Sequence, residues 1–571
     1  MNVNAFLERP RISLIELLGD SISLESGHIV TLVGPNNSGK THFLDQLEAK
    51  LVGADSKTID QNNGLTKSLA VEWGAVKNFS RDDVRRLARS VIGPENKHGF
   101  FDIEPLAGFD SPVNSRLENL IEDVNDGARL GAWTNYFVRR DSPLSRVSEA
   151  DPQLLSEDSA FGRVYRDIEL VKNVSEYFKR VFHEDISAYQ SGSGQIAFKM
   201  GKKLGTSGSF EGGMSTGYLE QLNQVPKLWH QGLGMRSVIG LLVRIYADPR
   251  PIVLIDEPEA FLHPPQAAAL GEVLKEISVT ENRQFFCATH DKNFLSGISR
   301  QSRGQSRGGF SILRLSRQRK SSITERSEFG YRVIPANFDE DIRNTCKIRH
   351  SIILEGLFAD VALVVENETD ALFYEEALNY YWEGQAAPNT KRISIHFVSV
   401  SGKSNAPSTI QLLSLLETPV VTILDTDIIA EAKEFRNTLQ RLKVSDVQKY
   451  MDCRDEMEKL VAKSEELPQP SQKDYKNKLK EAFAGKLKKI SSESYIYSEL
   501  EAMKALLRGT GLCVPPKGEL EDFAREINSS KADWVRRALG EQIHMSPNVQ
   551  DFIRSVVWEC ENRLSSKPKA K

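Results

Sequence analysis

The segment Gly34-Pro35-Asn36-Asn37-Ser38-Gly39-Lys40-Thr41 constrains this chain more than any other. It follows the apolar run Ile29-Val30-Thr31-Leu32-Val33, which reads as a buried strand. It precedes His42-Phe43-Leu44-Asp45-Gln46-Leu47, which reads as the start of a helix. Glycines let successive backbone N–H groups face one concavity, and the helix N-terminus adds partial positive charge. A polyphosphate fits such a cradle. Gly34, Asn37, Ser38 and Gly39 would wrap it, Lys40 would reach the outer phosphates, and the Thr41 hydroxyl would hold Mg²⁺. The plain alternative is a Gly-rich turn with a chance lysine; a second nucleotide motif further along outweighs it.

With 571 residues the chain is too long for one core, and about 150 residues per domain implies two to four domains. The net charge of -4 gives no global basic signature, so nucleic-acid contact has to come from local patches. Cys287, Cys346, Cys453, Cys513 and Cys560 are scattered, with no C-x-x-C. That argues against a disulfide framework or a zinc site and fits a reducing cytoplasm. No apolar run approaches the ~20 residues that span a bilayer, and no signal peptide is evident, so no membrane association is expected.

Residues 11–33 read as paired strands leading into the phosphate loop. From about residue 76 to 220 the pattern reads as a mostly helical insertion, with helices opening at Ser80, over 117–124 and over 163–182. Next comes Gln231-Gly232-Leu233-Gly234-Met235-Arg236-Ser237, running into an apolar helix. Shortly after, Pro251-Ile252-Val253-Leu254-Ile255 ends in Asp256-Glu257-Pro258-Glu259. An acidic pair at a strand tip is often a cap. With Lys40 and Thr41 upstream, Asp256 reads as part of the magnesium shell and Glu257 as the residue that polarises the attacking water. A further strand, Gln284 to Ala288, leads to Thr289-His290. The basic stretch from Arg300 to Lys320 reads as a flexible loop around a hairpin, either simply solvated or touching a phosphate backbone.

The C-terminal half repeats the theme of acids at strand tips. Val361-Ala362-Leu363-Val364-Val365 ends in Glu366-Asn367-Glu368-Thr369-Asp370, and Val420-Val421-Thr422-Ile423-Leu424 ends in Asp425-Thr426-Asp427. Acids at the carboxyl ends of neighbouring parallel strands converge where ligands bind in such sheets. Their hard oxygens suit Mg²⁺ or Mn²⁺. Lys403 follows another strand and reads either as a phosphate contact or as a solvated lysine. Residues 428–510 read as a helical insertion with a lysine-rich stretch from Lys473 to Lys489, most simply a wet helix face, alternatively a nucleic-acid contact.

The order phosphate loop, Gly-rich helix start, strand-Asp-Glu, strand-His resembles the ABC-type ATPases, and Glu259-Ala260-Phe261-Leu262-His263-Pro264 resembles their DNA-repair branch. The resemblance implies that His290 contacts the γ-phosphate and that Gly232 and Gly234 form a signature loop closing over ATP on a second subunit. It therefore implies a homodimer. The segment departs from the Leu-Ser-Gly-Gly-Gln form, and only Gln61 offers itself as a Gln-loop. The strand-Glu and strand-Asp-x-Asp pattern resembles a Toprim domain. Leu357-Phe358-Ala359-Asp360 behind an ABC ATPase resembles the OLD (overcoming lysogenisation defect) family. Pro516-Lys517-Gly518-Glu519-Leu520-Glu521-Asp522-Phe523 resembles the later acidic motif of those nucleases. The family usually has Gly where this chain has Asn367, a residue that tolerates a left-handed turn.

The expected fold is therefore α/β: an ABC-type P-loop ATPase domain over 1–345, then a Rossmann-like Toprim domain over 346–571, each with a helical insertion. The expected activity is an ATP-using, metal-dependent endonuclease in which Glu366, Asp425, Asp427 and Glu521 hold cations, with Glu519 and Asp370 as further candidates. The resemblance further implies antiphage defence. Its relatives act alone, with a helicase in Gabija-type systems, or beside retron reverse transcriptases with their RNA–DNA product. DNA is the expected substrate. The competing expectation is an ATPase switch whose Toprim half is a degenerate scaffold.

Overall fold

The computed structural model of the chain describes residues 10–17, 21–53, 66–72, 79–103, 113–154, 159–190, 195–201, 209–210, 213–214, 224–300, 309–318, 328–334, 350–385, 392–463, 474–483, 495–516, 518–527, 529 and 531–565. Internal contacts divide it into two units. Met1–Val33, Asn37–Leu315 and Phe329–Ala336 form the first; Gly34–Asn36, Ser316–Glu328 and Asn337–Lys571 form the second.

A six-stranded sheet organises the first unit, in the order Glu328–Ile334, Phe310–Gln318, Ile29–Val33, Gln284–Ala288, Ile252–Asp256, Val138–Asp141. From Phe310–Gln318 to Val138–Asp141 every neighbouring pair is parallel. The central strands read as unbroken apolar runs because both faces are covered. Val30, Leu32, Leu254 and Phe286 pack with Phe43 and Leu47 on one face. Ile29, Val253, Ile255 and Phe285 pack with Leu241, Leu270 and Val273 on the other. The N-terminal strands Arg11–Leu17 and Ser21–Ser23 pair antiparallel, and Arg11–Leu17 also pairs with Thr66–Glu72 in a separate small sheet.

Two expectations change here. The stretch 76–220 is not simply a helical insertion, because Val138–Asp141 is the edge strand of the main sheet and further strands occur at Phe100–Ile103, Val113–Arg116, Ile186–Gln190 and Gln195–Met200. The basic stretch also differs from a solvated one: the strand within it, Phe310–Gln318, joins the main sheet beside the phosphate-loop strand, and Arg314 on it is buried. Residues 301–308 and 319–320, like Gln61, lie outside the described residues.

The second unit is built on a four-stranded parallel sheet in the order Ile395–Ser399, Val361–Val365, Val420–Ile423, Leu512–Cys513. Phe373 and Tyr374 of helix Glu368–Tyr380 pack with Trp534, Phe552 and Val556 over one face. Within 428–510 the described residues form helices Ala432–Arg441, Val447–Ala462, Tyr475–Phe483 and Tyr495–Leu506. Among the described residues, no helix is long and apolar enough to cross a membrane.

Candidate functional sites

In the first unit, register brings three strand ends level. Asp256 pairs with Ala288, and Ala288 with Leu32. The phosphate loop, the acidic pair and His290 therefore leave the sheet along one edge. The loop needs its glycines: Gly34 has φ 146° and Gly39, capping helix Lys40–Val52, has φ 93°. Asn37 adopts φ 63°, which Asn tolerates. Burial lowers the Lys40 pKa, opposed by the charges of Glu257, Asp256 and Glu259. Thr41, at the first turn of that helix, is exposed to solvent.

Around the acidic pair the geometry is tight. His290 Nδ1 stands 3.3 Å from Glu257 Oε1 and 3.8 Å from Glu259 Oε1. Buried Glu259 accepts from the Thr289 hydroxyl at 2.7 Å and from the His290 backbone N–H at 3.3 Å, so it fixes the turn that carries the histidine. Desolvation raises its pKa to about 7. Asp256 faces Arg140, whose guanidinium is 3.7 Å from Asp256 Oδ2 and 3.1 Å from Asp45.

Glu257 sits at φ 44°, a left-handed conformation that is strained for a glutamate. Arg146, fully buried, holds it there by donating to the carbonyls of Asp256 at 3.1 Å and Glu257 at 2.6 Å. Sequence reasoning missed Arg146, a lone arginine far from the motif. Gly234 has a packing role: a Cβ there would stand 2.6 Å from the Phe261 carbonyl oxygen. Gly232 caps the helix Leu233–Ala247.

The second unit levels its strand ends in the same way. Val365 pairs with both Ser399 and Ile423, and Ile423 with Cys513. Glu366, Asp425 and the 519–521 turn thus emerge along one edge, the ligand edge of a parallel sheet. Thr426 ties the Asp-x-Asp turn to the later acidic motif: its hydroxyl donates to Pro515 O at 3.0 Å and its N–H to Gly518 O at 2.8 Å. Burial pushes the Asp425 pKa up to about 8, with Lys531 opposing and Glu366, Asp370 and Asp427 adding to the rise. Burial also raises Glu366.

Three lysines supply counter-charge. Lys531 Nζ lies 3.0 Å from Asp370 and 3.8 Å from Asp425. Lys403 pairs with Asp427 and, at 3.1 Å, with Glu431. Lys480 lies 2.6 Å from Glu431 and 3.6 Å from Asp427. Of the two readings for Lys403, phosphate contact or solvated lysine, the structure removes the second, because the ammonium is paired with Asp427 and Glu431. Lys480, read as part of a wet helix face, is instead turned onto the acidic turn. Asn367 is at φ -136°, so no left-handed turn exists for its missing glycine to serve; it caps helix Glu368–Tyr380 reciprocally with Asp370. Glu519 caps the turn Leu520–Phe523 reciprocally with Asp522.

A cation fits this donor set. Glu366 Oε2, Asp427 Oδ1 and Glu521 Oε2 are buried oxygens without a hydrogen-bond partner, and an anionic oxygen in that state calls for positive charge. Among the described residues, however, no three His, Cys, Asp or Glu side chains are gathered closely enough to hold one ion as they stand.

Comparison with known proteins decides the class. Residues 81–296 match the AAA domain family whose description points to the AbiEii toxin and a Type IV TA system. Residues 357–427 match the TOPRIM domain of overcoming lysogenization defect protein-like sequences. The chain is an AAA-type ATPase joined to an OLD-like TOPRIM domain. It is similar to the OLD nuclease of Thermus scotoductus, 23% identical over 464 residues that make up 74% of this chain and 82% of that protein. Among solved structures, the Smc head bound to the C-winged helix domain of ScpA covers 56% of this chain and 97% of its own, at 14% identity and TM-score 0.32. The SMC head domain from Thermotoga maritima covers 57% and 98%, at 14% identity and TM-score 0.28. By its domains the chain is an enzyme, an ATPase with a TOPRIM nuclease domain, whose substrate class is nucleic acid. Domains of these kinds use a nucleotide and a divalent metal.

Proposed function

We propose that this protein is an ATP-controlled, Mg²⁺- or Mn²⁺-dependent endonuclease of the OLD type, acting on DNA in bacterial antiphage defence. The observation that carries the reading is the edge of the TOPRIM sheet, where Glu366, Asp427 and Glu521 each present a buried, partnerless carboxylate oxygen. Glu366, Asp425, Asp427 and Glu521 would hold a divalent cation, which when bound would supply Lewis-acid activation of water and stabilisation of the leaving oxygen. The chain's own groups set the scene for that chemistry. Asp370 holds the Lys531 ammonium at the site, and neighbouring acids raise the Lys531 pKa, so its charge persists to offset a phosphodiester.

In the ATPase unit, Glu257 is set to polarise water, and His290, held by Glu259, lies against it. Lys40 neutralises the outer phosphates. Asp256 and Thr41 provide oxygens for Mg²⁺. Gly234 belongs to the face through which two ATPase domains would associate as a homodimer. A defence partner, a helicase or a reverse transcriptase with its RNA–DNA product, would meet the insertions.

Incubation of purified protein with plasmid and Mn²⁺, beside an Asp425→Ala/Asp427→Ala variant, tests the reading. Nicking by the wild type alone is expected. Equal nicking by both, or none from wild type under any nucleotide condition, overturns it. The second reading is a non-cleaving ATPase switch with a nucleic-acid-holding scaffold. The lysine counter-ions on Asp427 favour it, and calorimetry with Mn²⁺ in the absence of nucleotide, on wild type beside Asp425→Ala/Asp427→Ala, separates the two: a scaffold shows no manganese uptake that the variant loses.

A further inference from the structure

A cavity of about 330 Å³ lies beside the acidic edge, between helices Ala406–Leu415 and Ala432–Arg441. One wall carries Lys433, Asn437 and Arg441; Ser404 and Ser408 face them. The three residues of the first wall are spaced i, i+4, i+8, one above the other, with a repeat of about 6 Å. That repeat is of the order of the phosphate spacing in an extended strand. Among the described residues, Lys433 and Arg441 have no ion-pair or hydrogen-bond partner, whereas the lysines at the acidic edge are all engaged.

Both walls begin at the acidic cluster. Lys403, immediately before Ser404, pairs with Asp427 and Glu431. Glu431 caps the helix that bears Lys433 and Arg441. The cavity also lies at the carboxyl edge of the sheet, since the chain enters it directly from strand Ile395–Ser399. Unengaged cations on one wall and the Ser404 hydroxyl on the other are donors that hold phosphate oxygens and set register without reading bases; the Ser408 hydroxyl already donates to the Asn405 carbonyl at 2.8 Å. Glu434 alone among the lining residues is acidic.

Resting on the nuclease reading above, we propose that this groove holds the phosphodiester backbone of the strand flanking the cleavage point. Lys433 and Arg441 each take one phosphate, and Ser404 and Asn437 add hydrogen bonds. Affinity at this place is electrostatic and indifferent to sequence.

The test measures binding of fluorescent single-stranded DNA and RNA oligonucleotides to the full chain by anisotropy, over a salt series, with EDTA present so that nothing is cut. Lys433→Ala/Arg441→Ala is expected to weaken binding at least about tenfold at low salt and to reduce the log–log salt slope by about 1.4, the value for two phosphates of a single strand. Glu434→Gln is expected to strengthen binding, a change that a damaged fold would not produce. DNA and RNA responding alike supports backbone recognition; a response confined to one of them assigns the groove to that polymer. Unchanged affinity and slope in the double variant overturn the groove. Calorimetry with Mn²⁺ and plasmid nicking by the wild type report separately on the nuclease reading, so either can fail without the other.

Discussion

The guanidinium of Arg146 donates to the carbonyl oxygen of Glu257 at 2.6 Å, and that glutamate stands at φ 44°. A buried side chain more than a hundred residues upstream thus holds the acidic turn of the ATPase in a conformation the turn would not adopt alone. Arg146→Met leaves the carbonyls of Asp256 and Glu257 without these donors. We expect a loss of about 2–4 kcal/mol in unfolding free energy and at least a roughly tenfold fall in ATP turnover. Denaturant titration and a phosphate-release assay read the two effects; a variant that keeps wild-type turnover would show that the turn holds its own shape.

Gly240 lies under the same arginine's backbone. A Cβ at 240 would stand 1.9 Å from the Arg146 carbonyl oxygen, so Gly240→Ala must push helix Pro143–Glu149 away from helix Leu233–Ala247. Overpacking of this kind costs about 3 kcal/mol. A melting temperature equal to wild type would contradict the close approach.

Glu259 makes stability depend on pH. Its folded pKa of about 7 lies above the ordinary 4.5, so between those values the folded protein binds a proton that the unfolded chain has released. Stability therefore falls as pH rises through that window, by up to roughly 3 kcal/mol for this one group. Glu259→Gln removes the step. The difference in unfolding free energy between wild type and variant should change from about pH 4.5 to about pH 7 and level off above. A difference that stays constant with pH would mean that Glu259 is ionised throughout.

Lys480 competes for Asp427. Its ammonium lies 3.6 Å from Asp427 and 2.6 Å from Glu431, in a pair about one-third exposed. Partly screened pairs of this kind are worth up to about 1 kcal/mol. Lys480→Met should therefore tighten Mn²⁺ binding by up to about fivefold in calorimetry. Weaker binding would show that the lysine supports the cation site.

What could be read in advance follows from pattern. Short apolar strands that run into a Gly-rich loop and Lys-Thr, or end in Asp-Glu or Asp-x-Asp, announce themselves because burial on both faces erases alternation and the chemistry sits at or just beyond the tip. Val138-Arg139-Arg140-Asp141 does not. Its Arg139 and Asp141 are buried as a pair at 2.9 Å, with Arg244 on Asp141 at 2.8 Å, so a strand of the main sheet carries the composition of a loop. Lys531, Lys480 and Arg146 act across the chain rather than along it, and a single sequence holds no periodicity that points to them. The Asn367 departure misled for a local reason: the residue usual there suggested a left-handed turn, while this chain places a helix cap.

Arg454 of helix Val447–Ala462 donates to the carbonyls of Ile429 at 3.1 Å and Ala430 at 2.9 Å, in the turn that carries Asp427, and Tyr475 links that helix through Glu458 at 2.7 Å to the helix bearing Lys480. The lobe between 428 and 510 is thus no ornament that can be trimmed to obtain a minimal domain. Cutting it away would strip a strut from beneath the Asp-x-Asp turn and a positive charge from beside it in the same stroke, so shortened versions of this protein would misreport the behaviour of the whole.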